Sequence, residues 1–187
     1  NAGFSCFKGS RWGFHQINIQ EDKKMAITAA QVKELRDITG AGMMACKKAL
    51  AATEGDMDKA VEFLREQGLA GAQKKAGRIA AEGVSFAKVS EDMHTGVVVE
   101  VNAETDFVAK NAKFQAYVDQ VCDQALTTSA ADIDAFLAEK WNFDETRTVA
   151  EQLSEEISII GENMHIRRFH KLVENEGLVS AYIHAGG

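Results

Sequence analysis

The 187-residue chain contains no proline. Proline locks φ and removes a backbone donor, so its absence fits a helix-rich chain with few rigid loops. Cysteine is scarce too. Cys6, Cys46 and Cys122 are odd in number and share no CxxC spacing, which points away from a disulfide framework or a zinc site. A reducing compartment is the simplest setting, and the cytoplasm is the expected location. Basic charge is in deficit: 21 Lys and Arg against 28 Asp and Glu give −7, which argues against a general nucleic-acid binder. No apolar run approaches the ~20 residues that a membrane span needs, so no membrane partner is expected. No P-loop, GxSxG or HExxH motif occurs.

What is present is organised around Glu100-Val-Asn-Ala-Glu-Thr-Asp-Phe-Val-Ala-Lys-Asn111. Its front end closes a short β-branched run, Gly96 to Val101, which reads as a half-buried strand. At its far end Asn111 is a good N-cap. Phe114, Tyr117, Val118, Val121, Cys122 and Ala125 follow at helical spacing and predict one buried stripe. Between strand and helix lies Thr105-Asp106-Phe107-Val108, a turn. Local pattern leaves two readings of Phe107 open: a plug in the core where strand meets helix, or an aromatic held out rigidly for a partner.

Upstream, Thr28 and Gln31 form a capping box before Val32, Leu35 and Ile38, so a helix starts near Ala29 and breaks at Thr39-Gly-Ala-Gly42. A second helix runs from Met43 through Ala51 to Glu54-Gly55. A third is capped by Asp56, turns Val61, Phe63 and Leu64 inward and is expected to stop at Gly68. Residues 70–83 read as a weak helix or linker, and their Lys74, Lys75 and Arg78 as a solvated face. Val84–Val89 and Gly96–Val101 form a hairpin. After the central helix come an amphipathic stretch over Asp132–Trp141 with Ile133, Phe136 and Leu137 on one face, and a helix over Thr146–Ile160 ended by Gly161. Strands over Met164–Val173 and Leu178–His184 follow. The fold class is therefore α+β: a three-helix bundle over 25–69, a linker over 70–83, and a small antiparallel sheet with helices on one side over 84–187.

Glu104-Thr-Asp-Phe-Val-Ala-Lys-Asn111 closely resembles the signature of translation elongation factor Ts, the guanine-nucleotide exchange factor of elongation factor Tu. So does Leu35-Arg-Asp-Ile-Thr-Gly-Ala-Gly-Met-Met-Ala-Cys-Lys-Lys-Ala-Leu50, in the right order. Ala45, where an acidic residue is usual, and Ala103, where Ser, Cys or Val is usual, depart mildly from the pattern. The resemblance implies that the bundle is ubiquitin-associated-like and that Met25 is the natural start, with residues 1–24 a disordered extension. It also implies a chain that stops short of the family's further strands, coiled-coil arm and C-terminal helical module, with Val179–Ile183 left as an unpaired edge. By resemblance the partner is elongation factor Tu, GDP-bound and nucleotide-free. Asp106 and Phe107 match the pair that presses into its G domain, where the ring wedges near the magnesium site and loosens GDP. Arg36, Met43, Met44 and Lys47 match bundle positions that touch the same domain; Ile160, Gly161 and His184 match second-domain contacts. Met43 and Met44 are consecutive and cannot both face a helix core, so at least one is expected outside.

Competing chemistry is weaker. Gly40-Ala-Gly-Met-Met-Ala45 fits GxGxxA, but that fingerprint works only after a strand, and here a helix precedes it. His165, His170 and His184 with Glu174 and Glu176 match no metal-site spacing, and Cys122 lies on the buried stripe. No cofactor, metal or enzymatic activity is expected. The alternative class is an interaction module that binds a partner without exchange activity.

Overall fold

The structure, a computed structural model, describes residues 27–184. The expectations for residues 1–24, for Met25 and for the final glycines lie outside these. Thr28 opens the first helix, α1 (Ala29–Thr39), through the capping box read from sequence: its hydroxyl accepts from Gln31 N–H at 3.2 Å and Gln31 Oε1 accepts from Thr28 N–H at 3.0 Å. Gly40 ends it in the left-handed region, φ +67°. Then come α2 (Met43–Ala52) and α3 (Met57–Lys75), the latter capped by Asp56, which accepts from Lys59 N–H at 3.1 Å. Leu35, Cys46, Ala49, Leu50 and Ala60 make the small core of this bundle, and Val61, Phe63 and Leu64 close over it.

Two details differ from the local pattern. Ile38, in line with Val32 and Leu35, stands 62% exposed at the end of α1. Gly68 does not stop α3. A glycine ends a helix by taking positive φ, which Gly40, Gly55, Gly83 and Gly161 do and Gly68 does not. Gly68 is instead buried where α3 lies against a later helix: a Cβ built on it would lie 3.8 Å from Ser158 Cβ, ordinary van der Waals contact, so the position sits in helix packing without itself requiring glycine.

The chain continues through β1 (Glu82–Val89), β2 (Thr95–Ala103), α4 (Asp106–Ala109), α5 (Ala112–Thr127), α6 (Ile133–Ala138), β3 (Lys140–Trp141), β4 (Asp144–Thr148), α7 (Val149–Ile160) and β5 (Met164–Val173). Strands β1, β2 and β5 form an antiparallel sheet in the order β1-β2-β5, and β3 pairs with β4. Strand alternation puts Val97, Val99, Val101 and Ala103 on one buried face. Helix α5 covers that face with all six residues of its predicted stripe, and Phe136, Trp141, Val149 and Ile157 complete the cluster. Lys88 of β1 reaches Asp119 at 2.9 Å and Asp123 at 2.7 Å on α5, tying helix to sheet. The architecture is α+β, a helical bundle followed by a small antiparallel sheet with its helices on one side.

Helix α7 starts at Val149, three residues later than its periodicity suggests. Thr148 is the N-cap, in a capping box with Glu151, and residues 144–148 pair as a strand instead. The segment from Leu178 to His184 forms no strand. Its one backbone bond to a described neighbour runs from Val179 N–H to Met93 O at 2.8 Å; β-branched content without a partner strand makes no ladder.

One carboxylate fits this core poorly. Glu156 of α7 is half-buried near Tyr117 and accepts from Gln152 Nε2 at 3.0 Å. Burial raises its pKa above the ordinary value, against the Gln152 bond, Lys113 and Arg147, which pull it down. The folded chain therefore holds that proton more tightly than the unfolded chain, so this group opposes folding increasingly as pH rises above the ordinary Glu range. Glu156→Gln, which keeps the acceptor for Gln152, is expected to stabilise the protein at neutral pH and to change little at about pH 4. Urea unfolding at both pH values checks this; no gain at neutral pH would contradict it.

Candidate partner-binding site

Beyond β2 the chain makes a single helical turn, α4. Thr105 caps it, its hydroxyl accepting from Val108 N–H at 3.4 Å. The cap sets the phase of the turn. Ala109 is buried and Val108 half-buried against the sheet, while Phe107 points outward with 82% of its surface exposed. The core-plug reading is therefore incorrect: the positions facing inward are 108 and 109. Asp106, also exposed, takes Lys110 Nζ at 2.8 Å, and that hydrogen bond holds its carboxyl below the ordinary aspartate range.

The turn is gripped from the far side of the chain. Glu162, just past α7, accepts from Thr105 N–H through Oε2 at 3.0 Å and from Thr105 Oγ1–H through Oε1 at 2.7 Å. In return, Glu104 Oε1 accepts from Asn163 N–H at 2.6 Å and from Arg78 Nη1 at 3.4 Å. The Asn163 amide, then Arg78, hold the Glu104 carboxyl below the ordinary range. Asn163, 1% exposed, donates through Nδ2 to the Arg78 carbonyl at 2.7 Å.

The bundle residues named from sequence all lie outside. Met43 and Met44 are 59% and 77% exposed, because α2 buries Cys46, Ala49 and Leu50 and leaves its first turn free; Arg36 and Lys47 are exposed as well. Exposed Ile38 adds an apolar side chain at the end of α1, an exposure that a helical stripe hides from sequence reading. The corner between α1 and α2 touches the end of α7, since a Cβ on Gly40 would meet Ile159 Cδ1 at 3.4 Å. Ile160 and Gly161 follow at once, the first half-buried and the second exposed at φ +92°, and then Glu162 grips Thr105. A continuous path of contacts thus joins the bundle corner to Phe107. His184 is not on it. It is exposed, its Nδ1 lies 3.2 Å from the Tyr182 hydroxyl, and its segment is tied at Val179 to the hairpin turn, the end of β2 opposite α4.

Sequence reasoning missed Glu104, Glu162 and Asn163. Their partners lie 26 to 85 residues away, beyond any local pattern. The arrangement offers rigid apolar and charged contacts; among the described residues no three His, Cys, Asp or Glu gather as a metal site, and burial pushes the Cys122 thiol up to about 12. The glycine turn at 40–45 joins two helices, α1 and α2. No helix among the described residues is long and apolar enough to cross a membrane.

The family described as Elongation factor TS matches residues 104–187. The chain is 54% identical over 163 residues to Elongation factor Ts of Trichlorobacter lovleyi, covering 87% of this chain and 52% of that protein. It is 53% identical over 161 residues to Elongation factor Ts of Clostridium novyi (86% and 53%). Against that of Clostridium perfringens it is 55% identical over 161 residues (86% and 52%). The chain spans about half the length of these curated relatives.

Proposed function

Because this chain belongs to the elongation factor Ts family, we propose that it promotes GDP release from elongation factor Tu during translation elongation, with Phe107 as the wedge. The observation that carries this reading is the side chain itself: a phenylalanine 82% exposed on a capped turn held at its N-terminal end. Leaving an aromatic in water on a rigid turn opposes folding economy, and a partner that buries it recovers about 1.5–3 kcal/mol.

Exchange needs no bond-making. It needs a binding free energy that is larger for the nucleotide-free partner than for the GDP complex, and linkage makes the effect reciprocal: a factor that weakens GDP is weakened by GDP to the same extent. Phe107 enters the G domain near the Mg²⁺ and disturbs its coordination, so the ring and bound nucleotide compete for one arrangement of the partner. Asp106, preset by Lys110, bonds at the rim of the same contact. Met43 and Met44, with Arg36 and Lys47 beside them, add a second contact from the bundle, and Ile160 and Gly161 lie between the two. His184 contributes from its own segment. The protein works in the cytoplasm as a binding factor.

Stopped-flow release of a fluorescent GDP analogue from elongation factor Tu tests this. Saturating chain is expected to accelerate release and to weaken GDP binding by roughly 5- to 150-fold, the span of ordinary coupling free energies. A folded chain that forms a complex without acceleration would leave an interaction module, and the exchange reading would fall.

A further inference from the structure

We infer that Glu162 is a positioning residue that aims Phe107, by extending the β2–β5 pairing with side chains after the backbone ladder has ended; this rests on the wedge reading above. Helix α4 is one turn long, and a single turn is far below the length at which a helix holds itself together. Only Val108 and Ala109 anchor it in the core, and Phe107, in solvent, adds nothing to that anchorage. Its direction therefore depends on the bonds at its N-terminal end.

Those bonds follow a register. The last backbone pair of β2 and β5 is Ala103 opposite Met164. One step further Glu104 faces Asn163, and one step beyond that Thr105 faces Glu162. At both steps a carboxylate takes the partner's amide, where a carbonyl would have done so within a ladder. Thr105 is the hub. Its hydroxyl accepts from Val108 N–H inside α4 and donates to Glu162, while its own N–H goes to the other oxygen of the same carboxylate. A carboxylate that takes two donors from one residue fixes orientation as well as distance, and bonds to an ionised acceptor are the stronger kind. Glu162 follows directly on the end of α7, whose Ile159 meets the bundle corner at Gly40, so the bond also sets Phe107 relative to the helical bundle. Its neighbour Asn163 is locked by the Arg78 carbonyl, which stops this support from swinging.

A role through Phe107 makes a specific demand: removing Glu162 must matter only while the ring is there. In the GDP-release assay, Glu162→Ala is expected to slow the stimulated rate by about tenfold with Phe107 present and by no more than about twofold in the Phe107→Ala background. Equal losses in both backgrounds would mean general support of the fold and overturn the proposal, as would no loss with Phe107 present. Glu162→Gln, which preserves shape and one acceptor oxygen, should lie between the wild type and Glu162→Ala and guards against a variant that fails to fold. Amide hydrogen exchange gives a readout independent of the partner. Thr105 and Val108 should exchange at least about tenfold faster in Glu162→Ala while the amides of Phe114 to Ala125 keep their protection. Unchanged protection at Thr105 and Val108 overturns the proposal whatever the release assay shows. Should Phe107→Ala alone leave release unaltered, the wedge reading is what fails, and the exchange of these two amides still decides whether Glu162 orders the turn.

Discussion

Phe107→Ala is expected to slow stimulated GDP release from elongation factor Tu by roughly ten- to a hundredfold while leaving the melting temperature of the free chain within about a degree of the wild type. The two halves of this expectation have separate causes. Phe107 is 82% exposed in the free protein, so its loss removes little buried area and opens no cavity. Alanine is also the better helix former, which favours α4 slightly. In the proposed complex the same ring would be desolvated, and aromatic anchors buried at the centre of an interface are where binding energy concentrates. The loss should fall on the state the ring selects: affinity for the nucleotide-free partner drops in step with the rate, and affinity for the GDP complex drops less. Release measured across a titration of the chain separates these. A variant that regains the wild-type rate at saturation would show that Phe107 contributes binding common to both states, and the wedge would be wrong.

How far such a role could be read in advance depends on which interactions are local. The stripe from Phe114 to Ala125 is set by helical spacing alone, and every member is buried; the capping box of Thr28 and Gln31 spans three residues and forms as read. Phe107 is different. Its outward aim follows from the phase of α4, the phase follows from the Thr105 cap, and the cap is oriented by Glu162 across 57 residues of chain. No window around Phe107 contains that information, and only the resemblance of the surrounding motif favoured exposure. Gly68 fails for a related reason. Glycine stops a helix only where the chain takes positive φ, and at Gly68 the helix instead runs on, packed beside Ser158 of a distant helix. The stretch from Leu178 to His184 has the composition of a strand, but a strand exists only as a member of a ladder, and composition does not supply the neighbour. Ile38 shows the converse: it keeps the helical period of Val32 and Leu35, yet the small bundle core ends before reaching it.

A second phenylalanine, seven residues further on, should behave in the opposite way. Phe114 is fully buried in the first turn of α5, in the same cluster as Val99, Val101 and Met164. Phe114→Ala is expected to cost about 3–5 kcal/mol, from the lost transfer of the ring out of water and from the cavity left between helix and sheet. Against the ~5–15 kcal/mol that holds a typical domain together this is a large fraction. Thermal unfolding should shift downward by on the order of 10 °C. Collapse around the cavity is limited, because the walls on two sides are β2, pinned by β1 and β5, and α5, pinned to β1 by Lys88. Below its melting transition the variant should still accelerate GDP release in proportion to the folded fraction, since the N-terminal end of α4 is held by the hydrogen bonds of Thr105, Glu104, Glu162 and Asn163. A melting temperature within a degree or two of the wild type would contradict the core assignment. A release defect exceeding the unfolded fraction would show that the seat of α4 depends on the core beneath it as well as on the carboxylates beside it. Two phenylalanines on neighbouring helices, one changing rate without stability and the other stability without rate, would separate the part of this protein that folds from the part that acts.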